Sequence, residues 1–140
     1  MQGKYVHLRY GIILAREEQA SVLRQPLVEL EQLRLDVFEY TNDAIQAVRK
    51  RHPQVVIADY ERFGAAGIHG LAELMNEADA PVILFVRDVS EWENEQFGEL
   101  GVQRVFNAKF KLSELAAEVD KAIKRRRRIG SSDRLPVISV

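Results

Sequence analysis

Asp59 is the residue of this chain whose position most directly suggests chemistry. It ends a short apolar run, Val55–Asp59, which is typical of a strand buried inside a parallel sheet. Open sheets that are flanked by helices carry their functional groups at the carboxyl ends of such strands. Two interpretations are open at this point. Asp59 is either a functional acid or a strand-end carboxylate that forms an ion pair with Arg16.

The elements that must position Asp59 follow from an alternation of apolar runs with helical patterns. We predict five strands, at Gly11–Ala15, Leu35–Glu39, Val55–Asp59, Pro81–Val86 and Gln103–Phe106. Strands that are each followed by a helix imply a parallel sheet covered on both faces. Right-handed crossovers then favour an α/β, flavodoxin-like (βα)5 three-layer sandwich, with a five-stranded parallel sheet of order 2-1-3-4-5. The first and third strands are neighbours in that order, so Ala15–Glu18 should lie beside Asp59.

Helices are predicted in the intervening segments from their apolar spacing. Their expected bounds are Glu18–Leu33, Thr41 or Asn42 to Arg51, Leu71–Glu77, Ser90–Leu100 and a last helix that begins at Ser113. Thr41 or Asn42, Ser90 and Ser113 are the predicted N-terminal caps, and Gly101 is the predicted C-terminal stop of the fourth helix. Pro26 should kink the first helix or restart it as a first-turn proline. The glycines of Glu61–Gly70 predict a loop.

The composition is that of one ordinary globular domain and excludes several kinds of function. A formal net charge of -1 gives no general attraction to nucleic acid or to a membrane. The chain has no cysteine, which excludes disulfides, thiolate metal sites and cysteine nucleophiles. It shows neither a signal peptide nor an apolar run near the roughly 20 residues of a membrane span. We therefore predict a cytoplasmic protein.

Three segments, taken in order, resemble parts of one family. Pro53–Asp59 is similar to a strand that ends in a phosphorylatable aspartate, and Pro81–Phe85 is similar to a strand that leads to a switch threonine or serine. Gly101–Leu115 is similar to a segment that carries a lysine, a proline and a phenylalanine before the last helix. This is the pattern of response-regulator receiver domains, and the resemblance covers most of the chain. It implies a phospho-acceptor role for Asp59 and a signalling function.

The chain departs from the receiver family after the first strand. The family has an acidic pair there, which holds Mg²⁺ together with the acceptor aspartate. This chain has Arg16–Glu17 in one register and Glu17–Glu18 in another. Mg²⁺ requires oxygen ligands in tight octahedral geometry. An arginine in the pocket would repel the ion and could pair with Asp59.

Two further positions of the family pattern are altered. Val86 occupies the hydroxyl position and cannot hydrogen-bond a phosphoryl oxygen. Ala108 aligns with the family's lysine. Lys109 could replace that lysine only through a one-residue slip, which would reverse the side of the strand that it faces. Asp59 is therefore the one functional position of the receiver family that we assign to this chain by resemblance.

These departures predict a pseudo-receiver, which is a signalling and protein-interaction module that acts without phosphorylation, is not an enzyme and needs no cofactor. Phosphoryl transfer depends on positioning and on neutralisation of charge, so loss of these groups together should remove most of it. The alternative is an active receiver that is phosphorylated on Asp59, with Glu17 and Glu18 on Mg²⁺ and Lys109 slipped into the site.

The resemblance implies a partner or homodimer surface on the fourth helix, the fifth strand and the fifth helix. The candidate contact residues are Trp92, Phe97, Val105, Lys121 and Arg125. Alternatively, Trp92 and Phe97 simply cover the edge of the sheet. The basic run Lys121–Arg128 has three interpretations: a solvated helix end, a nucleic-acid or membrane contact, and an ion-pairing surface for the acidic fourth helix. The run lacks interleaved aromatic residues and is weak evidence for nucleic acid.

The last residues suggest a domain boundary. Residues 1–128 form the receiver-like domain, and residues 129–140 form a linker or the start of a following domain. The polar, turn-rich Ile129–Arg134 is typical of a linker, and Val137–Val140 begins a β-branched run. One hypothesis is that this run opens a P-loop ATPase domain, for which the present domain would be an N-terminal adaptor. The other is a natural tail.

Overall fold

The computed structural model describes residues 9–28, 30, 33–107 and 109–124. Its sheet contains five strands: β1 (Arg9–Leu14), β2 (Leu33–Phe38), β3 (Val55–Asp59), β4 (Val82–Phe85) and β5 (Arg104–Phe106). All neighbouring strands are parallel, and their order is β2-β1-β3-β4-β5. The predicted fold class and strand order are confirmed. Ala108, Arg125 and residues 129–140, to which predictions were attached, lie outside the described residues.

Helices cover both faces of this sheet. They are α1 (Glu17–Arg24), α2 (Thr41–Arg51), α3 (Gly67–Glu77), α4 (Glu91–Leu100) and α5 (112–124), with 3-10 helices at Gln25–Leu27 and Tyr60–Ala66. Pro26 occupies the first turn of the first 3-10 helix, which confirms the predicted restart after α1. The last helix begins one residue before Ser113, so the prediction that Ser113 caps it is wrong.

The core has two halves because the side chains of each strand alternate between the faces of the sheet. One half contains Ile12, Val56 and Leu84 from the strands, packed with residues of α2, α3 and α4. The other half contains Ile13, Ile57 and Ile83, packed with residues of α1 and α5. Every residue of β3 is buried, as expected for the central strand of a covered parallel sheet. This strand fixes the position of Asp59.

The region after β3 differs from the predicted loop. Residues Tyr60–Ala66 form a 3-10 helix, and α3 already begins at Gly67. Gly64 and Gly67 have φ of 57° and 49°, which other residues adopt at a cost. Gly70 lies inside α3, where a Cβ would come within 2.9 Å of the Phe63 ring. Gly64 and Gly67 thus allow two backbone turns, and Gly70 allows close packing against Phe63. The segment is not an irregular loop.

The caps of α4 agree with the sequence prediction, and the N-terminal cap of α2 does not. Ser90 caps α4 as predicted. Its Oγ accepts a hydrogen bond from the Glu93 N–H, and the Glu93 carboxylate accepts one from the Ser90 N–H in return. Gly101, with φ of 87°, ends that helix as predicted. The predicted cap of α2 is wrong, because Thr41 is the first helical residue and the preceding Tyr40 makes no side-chain capping bond.

Candidate functional site

Asp59 is a buried carboxylate at the carboxyl end of β3, and only 8% of its surface is exposed. Its Oδ1 accepts a hydrogen bond of 3.0 Å from the backbone N–H of Glu61. That bond caps the 3-10 helix that follows, so Asp59 has a structural role whatever its chemistry.

Burial raises the pKa of Asp59 above its ordinary value, because a carboxylate that is removed from water loses hydration in its charged form. The Glu61 N–H lowers this pKa and the Glu61 charge raises it, while Arg87 and Arg62 lower it more weakly. The predicted partner was a different arginine. None of the ion pairs found among the described residues joins Arg16 to Asp59.

The end of β1 lies beside Asp59, as the predicted strand order requires. Leu14 is paired with Ala58, so the next residue, Ala15, comes level with Asp59. Arg16 is the exposed N-cap of α1, and the two predicted glutamates are exposed in its first turn. The positions that directly follow β1 are therefore Ala15 and Arg16. Neither of the two predicted registers, Arg16–Glu17 and Glu17–Glu18, begins at the first of these positions.

A small cavity of about 100 Å³ adjoins Asp59. Its described lining comprises Gln19, Asp59, Phe85, Val86, Arg87, Asn107 and Phe110. Val86 thus does face the site, and 6% of its surface is exposed. The rings of Phe85 and Phe110 lie 4.7 Å apart at their centroids, which gives the cavity an apolar wall. Val86 and this wall offer no hydrogen bond to a phosphoryl oxygen, whereas Gln19, Arg87 and Asn107 in the same lining carry donors.

A larger open cleft of about 730 Å³ lies next to this cavity, between the β4–α4 loop, α4 and the end of β5. Val86, Arg87 and Asn107 line both spaces. Lys109 is exposed and lines the larger cleft, not the small cavity at Asp59. Its backbone N–H donates to the Asn107 Oδ1 at 3.0 Å.

Four groups that sequence reasoning did not select belong to this site: Gln19, Arg62, Arg87 and Asn107. Gln19 belongs to α1, Arg62 to the 3-10 helix after β3, and Arg87 and Asn107 to the loops after β4 and β5. Residues that follow the parallel strands could have been selected from the sequence as site candidates, because the carboxyl ends of these strands share one edge of the sheet.

Tyr60, the residue after Asp59, connects the site to α4. Its hydroxyl donates a hydrogen bond of 2.7 Å to the Glu93 Oε2, and its ring meets the Phe97 ring edge-on at 5.0 Å. Burial, followed by the Glu93 carboxylate, raises the pKa of Tyr60. The Ser90 N–H, followed by the Tyr60 hydroxyl, lowers the pKa of Glu93.

The carboxylates near Asp59 bear on whether this end of the sheet could hold Mg²⁺. Within the described ranges, no three histidine, cysteine, aspartate or glutamate side chains come together in a way that could hold a metal ion. Glu17 and Glu18 are exposed on α1, and Ala15 stands level with Asp59. Asp59 is thus the one carboxylate in the described lining of the small cavity, and Mg²⁺ held there would need water or backbone oxygens for its other ligands.

The predicted contact residues do not share one environment. Trp92 is 57% exposed on α4, so it does not cover the sheet edge. Phe97 is 1% exposed and packs in the core, so it cannot contact a partner while α4 stays in place. Val105 is half-buried and lines the larger cleft, and Lys121 is exposed on α5.

Within the described part of the chain, no helix combines the length and apolar character needed to cross a membrane. Comparison of the sequence with protein-family models gives no match. Comparison with curated proteins gives none either. Comparison with solved structures is informative.

The chain is similar in structure to several receiver domains. One is the signal receiver domain of a protein described as a Luxo repressor from Vibrio parahaemolyticus. It has a TM-score of 0.78 and 19% identity, and the match covers 91% of this chain and 98% of that one. Another is a CheY-like response regulator receiver domain protein from Methanospirillum hungatei JF-1, with a TM-score of 0.75, 10% identity, and coverage of 87% and 98%.

A third similar structure is much longer than this chain. It is NtrX from Brucella abortus in complex with ATP, with a TM-score of 0.71 and 16% identity. The match covers 91% of this chain but 29% of that one. At these identities the similarity establishes the fold, and the fold of this chain is that of response-regulator receiver domains.

Proposed function

We propose that this chain is a receiver-like signalling and protein-interaction module that acts without phosphorylation of Asp59 and is not an enzyme. The main support is the chemical nature of the groups beside Asp59. Ala15 and Arg16 follow β1, and Val86 follows β4. A metal ligand would be needed at the first place and a hydroxyl at the second.

The physical reason is the nature of phosphoryl transfer. The transferred group passes through a loose transition state whose charge must be neutralised by metal ions and fixed donors. Arg87 and Arg62 bring positive charge near Asp59, but they lower its pKa less than burial raises it. A carboxylate whose charged form is disfavoured is also a poorer nucleophile. Asp59 instead has the capping role described above.

The alternative is an active receiver that uses Asp59 and Mg²⁺. Its support is the position of Asp59 at the carboxyl end of the central strand, beside a small cavity. It would require Glu17 or Glu18 to turn from the surface of α1 towards the site. It would also require Lys109 to leave the larger cleft.

The interaction surface that we propose comprises α4, β5 and α5. Glu91, Trp92 and Glu95 are exposed on α4, which gives that helix an aromatic anchor among acidic residues. Lys121 and Lys124 are exposed on α5, and Lys124 is paired with Asp120 at 2.8 Å. A two-fold arrangement could bring the acidic residues of α4 in one copy against Lys121 and Lys124 of another.

We also propose that the module is the N-terminal adaptor of a larger protein, and a P-loop ATPase is the candidate output domain. Support comes from NtrX, a chain with bound ATP in which the segment similar to this protein is 29% of the whole. The nucleotide sequence after the codon for Val140 tests this part. A P-loop glycine motif there would support it, and a stop codon would contradict it.

The test of the main proposal is chemical labelling of Asp59. The protein is incubated with Mg²⁺ and a small phosphodonor, and intact-protein mass spectrometry measures any added phosphoryl group. We expect none in the native chain. The matched control is a repaired variant, Arg16→Asp with Val86→Thr and Ala108→Lys, which restores the family's groups. Labelling of the native chain that is lost in Asp59→Ala would establish the active alternative.

A further inference from the structure

The larger cleft beside α4 has the dimensions of a small-molecule site. Its volume of about 730 Å³ lies within the roughly 300–1,000 Å³ that is typical of small-molecule sites. It is an open concavity formed by the β4–α4 loop, α4 and the segment after β5. Its chemistry was not predicted from the sequence.

Two cations line this cleft, and no salt bridge between described residues holds either of them. These cations are Arg87 and Lys109. Asp88 is the acidic residue of the described lining. The lining therefore has an excess of one positive charge. A site with this balance attracts an anion.

The remaining lining suits a ligand that also has an apolar part. The amide groups of Asn94 and Asn107 can donate hydrogen bonds, and the Asn107 Oδ1 is already occupied by the Lys109 N–H. Val89 and Val105 supply apolar surface beside them. Five of the eight described lining residues are polar or charged, so the ligand's polar group would make most of the contacts.

The loop that carries Arg87 is held in an unusual conformation. Asp88 has φ of 47°, one of two positive values among the non-glycine residues for which the structure gives backbone angles. Such a conformation is uncommon in a residue other than glycine and is concentrated at ligand sites and switch regions. It supports the inference but does not carry it.

We propose that this cleft binds a small organic anion, whose carboxylate or phosphate group contacts Arg87 and Lys109 and whose apolar body lies against Val89 and Val105. Because Asn94 belongs to α4, a bound ligand would contact the helix that we assign to the interaction surface. The ligand would then be a signal that requires no covalent change at Asp59.

The test is a titration of the full chain with phenyl phosphate, followed by amide NMR in the absence of Mg²⁺. We expect saturable shifts at Val89, Asn94 and Val105, with a dissociation constant on the order of 1 mM or tighter for a ligand of this size. Inorganic phosphate and benzyl alcohol, which each supply one half of the probe, should bind at least about tenfold more weakly.

Variants assign the site. Arg87→Gln and Lys109→Gln should each weaken binding of phenyl phosphate, whereas Lys50→Gln, an exposed cation on α2, should leave it unchanged. Asp59→Asn should still bind, which separates this site from any phosphorylation of Asp59. The proposal is overturned if the shifts do not saturate, if they lie elsewhere, or if Lys50→Gln weakens binding equally. Equal binding of inorganic phosphate would overturn the apolar part of the site.

Discussion

Tyr60 and Glu93 join the end of the central strand to the start of α4. The Tyr60 hydroxyl donates to the Glu93 Oε2 at 2.7 Å, while the Glu93 Oε1 accepts from the N–H and the hydroxyl of Ser90 at 2.9 and 3.1 Å. One carboxylate thus closes the capping box of α4 and holds the residue next to Asp59. A displacement of Asp59 would shift Tyr60, and the hydrogen bond from Tyr60 to Glu93 would pass that shift to the start of α4.

Replacing Tyr60 with phenylalanine should weaken this connection without emptying the core. The ring keeps its edge-on contact with Phe97, so the loss is the hydrogen bond of a nearly buried hydroxyl, about 1 kcal/mol in the free energy of unfolding. Urea denaturation measures it, and hydrogen exchange in the first turn of α4 should accelerate. Tyr40→Phe is the control, because Tyr40 is 64% exposed. Equal effects of the two substitutions would contradict the role of the bond.

Gly70 and Gly98 form a matched pair for testing the packing of α3. Both lie inside helices, where alanine normally stabilises by roughly 1 kcal/mol relative to glycine. At Gly98 nothing lies within 4 Å of an added Cβ, so Gly98→Ala should stabilise the protein by about that amount. At Gly70 the Cβ would meet the Phe63 ring at 2.9 Å, so Gly70→Ala should destabilise it. Thermal unfolding of the two variants decides this, and stabilisation by both would refute the close contact.

Asp59→Asn should change the dependence of stability on pH. Burial raises the pKa of Asp59 in the folded state, so ionisation of Asp59 disfavours folding. This unfavourable contribution is absent below the pKa of the unfolded state, about 3.9, and is complete above the raised pKa of the folded state. Asp59→Asn, which keeps an oxygen for the Glu61 N–H, should therefore stabilise the protein near neutral pH.

The gain from Asp59→Asn should shrink as the pH falls towards the ordinary pKa of aspartate. Urea denaturation midpoints of the two proteins across this pH range measure it. A variant that is less stable than the native chain at neutral pH would mean that Arg62 and Arg87 outweigh burial.

Self-association through the proposed surface should depend on salt and on Trp92. Exposed charge pairs are weak and screened, so sedimentation should show a dimer that dissociates as salt is added. Trp92→Ala should weaken the dimer, whereas Tyr40→Ala, which removes another exposed aromatic side chain, should not. A strict monomer at high protein concentration and low salt would count against homodimers.

Local signals were enough to predict much of the fold. The apolar run that ends at Asp59 predicted the observed bounds of β3. Ser90 and Gly101 predicted the observed bounds of α4. The start of α3 was missed, because three glycines indicate a loop unless the contact of Gly70 with Phe63 is known. That contact is tertiary and leaves no local pattern in the sequence.

The candidate site was harder to predict than the fold. Asp59 ends β3 and Val86 follows β4, and both positions could be read from clear apolar strands. Arg87 and Asn107 come together only through the order of the strands and the path of two loops. Lys109 faces the larger cleft, and no sequence pattern distinguishes that orientation from one towards Asp59.

The response of Asp59 to a phosphoryl mimic distinguishes a pseudo-receiver from an active receiver. The measurement is the amide NMR spectrum of the full chain with and without Mg²⁺ and beryllofluoride, read at Asp59 and Tyr60 and at the start of α4. We predict no change at these residues, because Ala15, Arg16 and Val86 provide neither metal ligand nor hydroxyl. Large shifts there that disappear in Asp59→Ala would contradict the account and identify an active receiver.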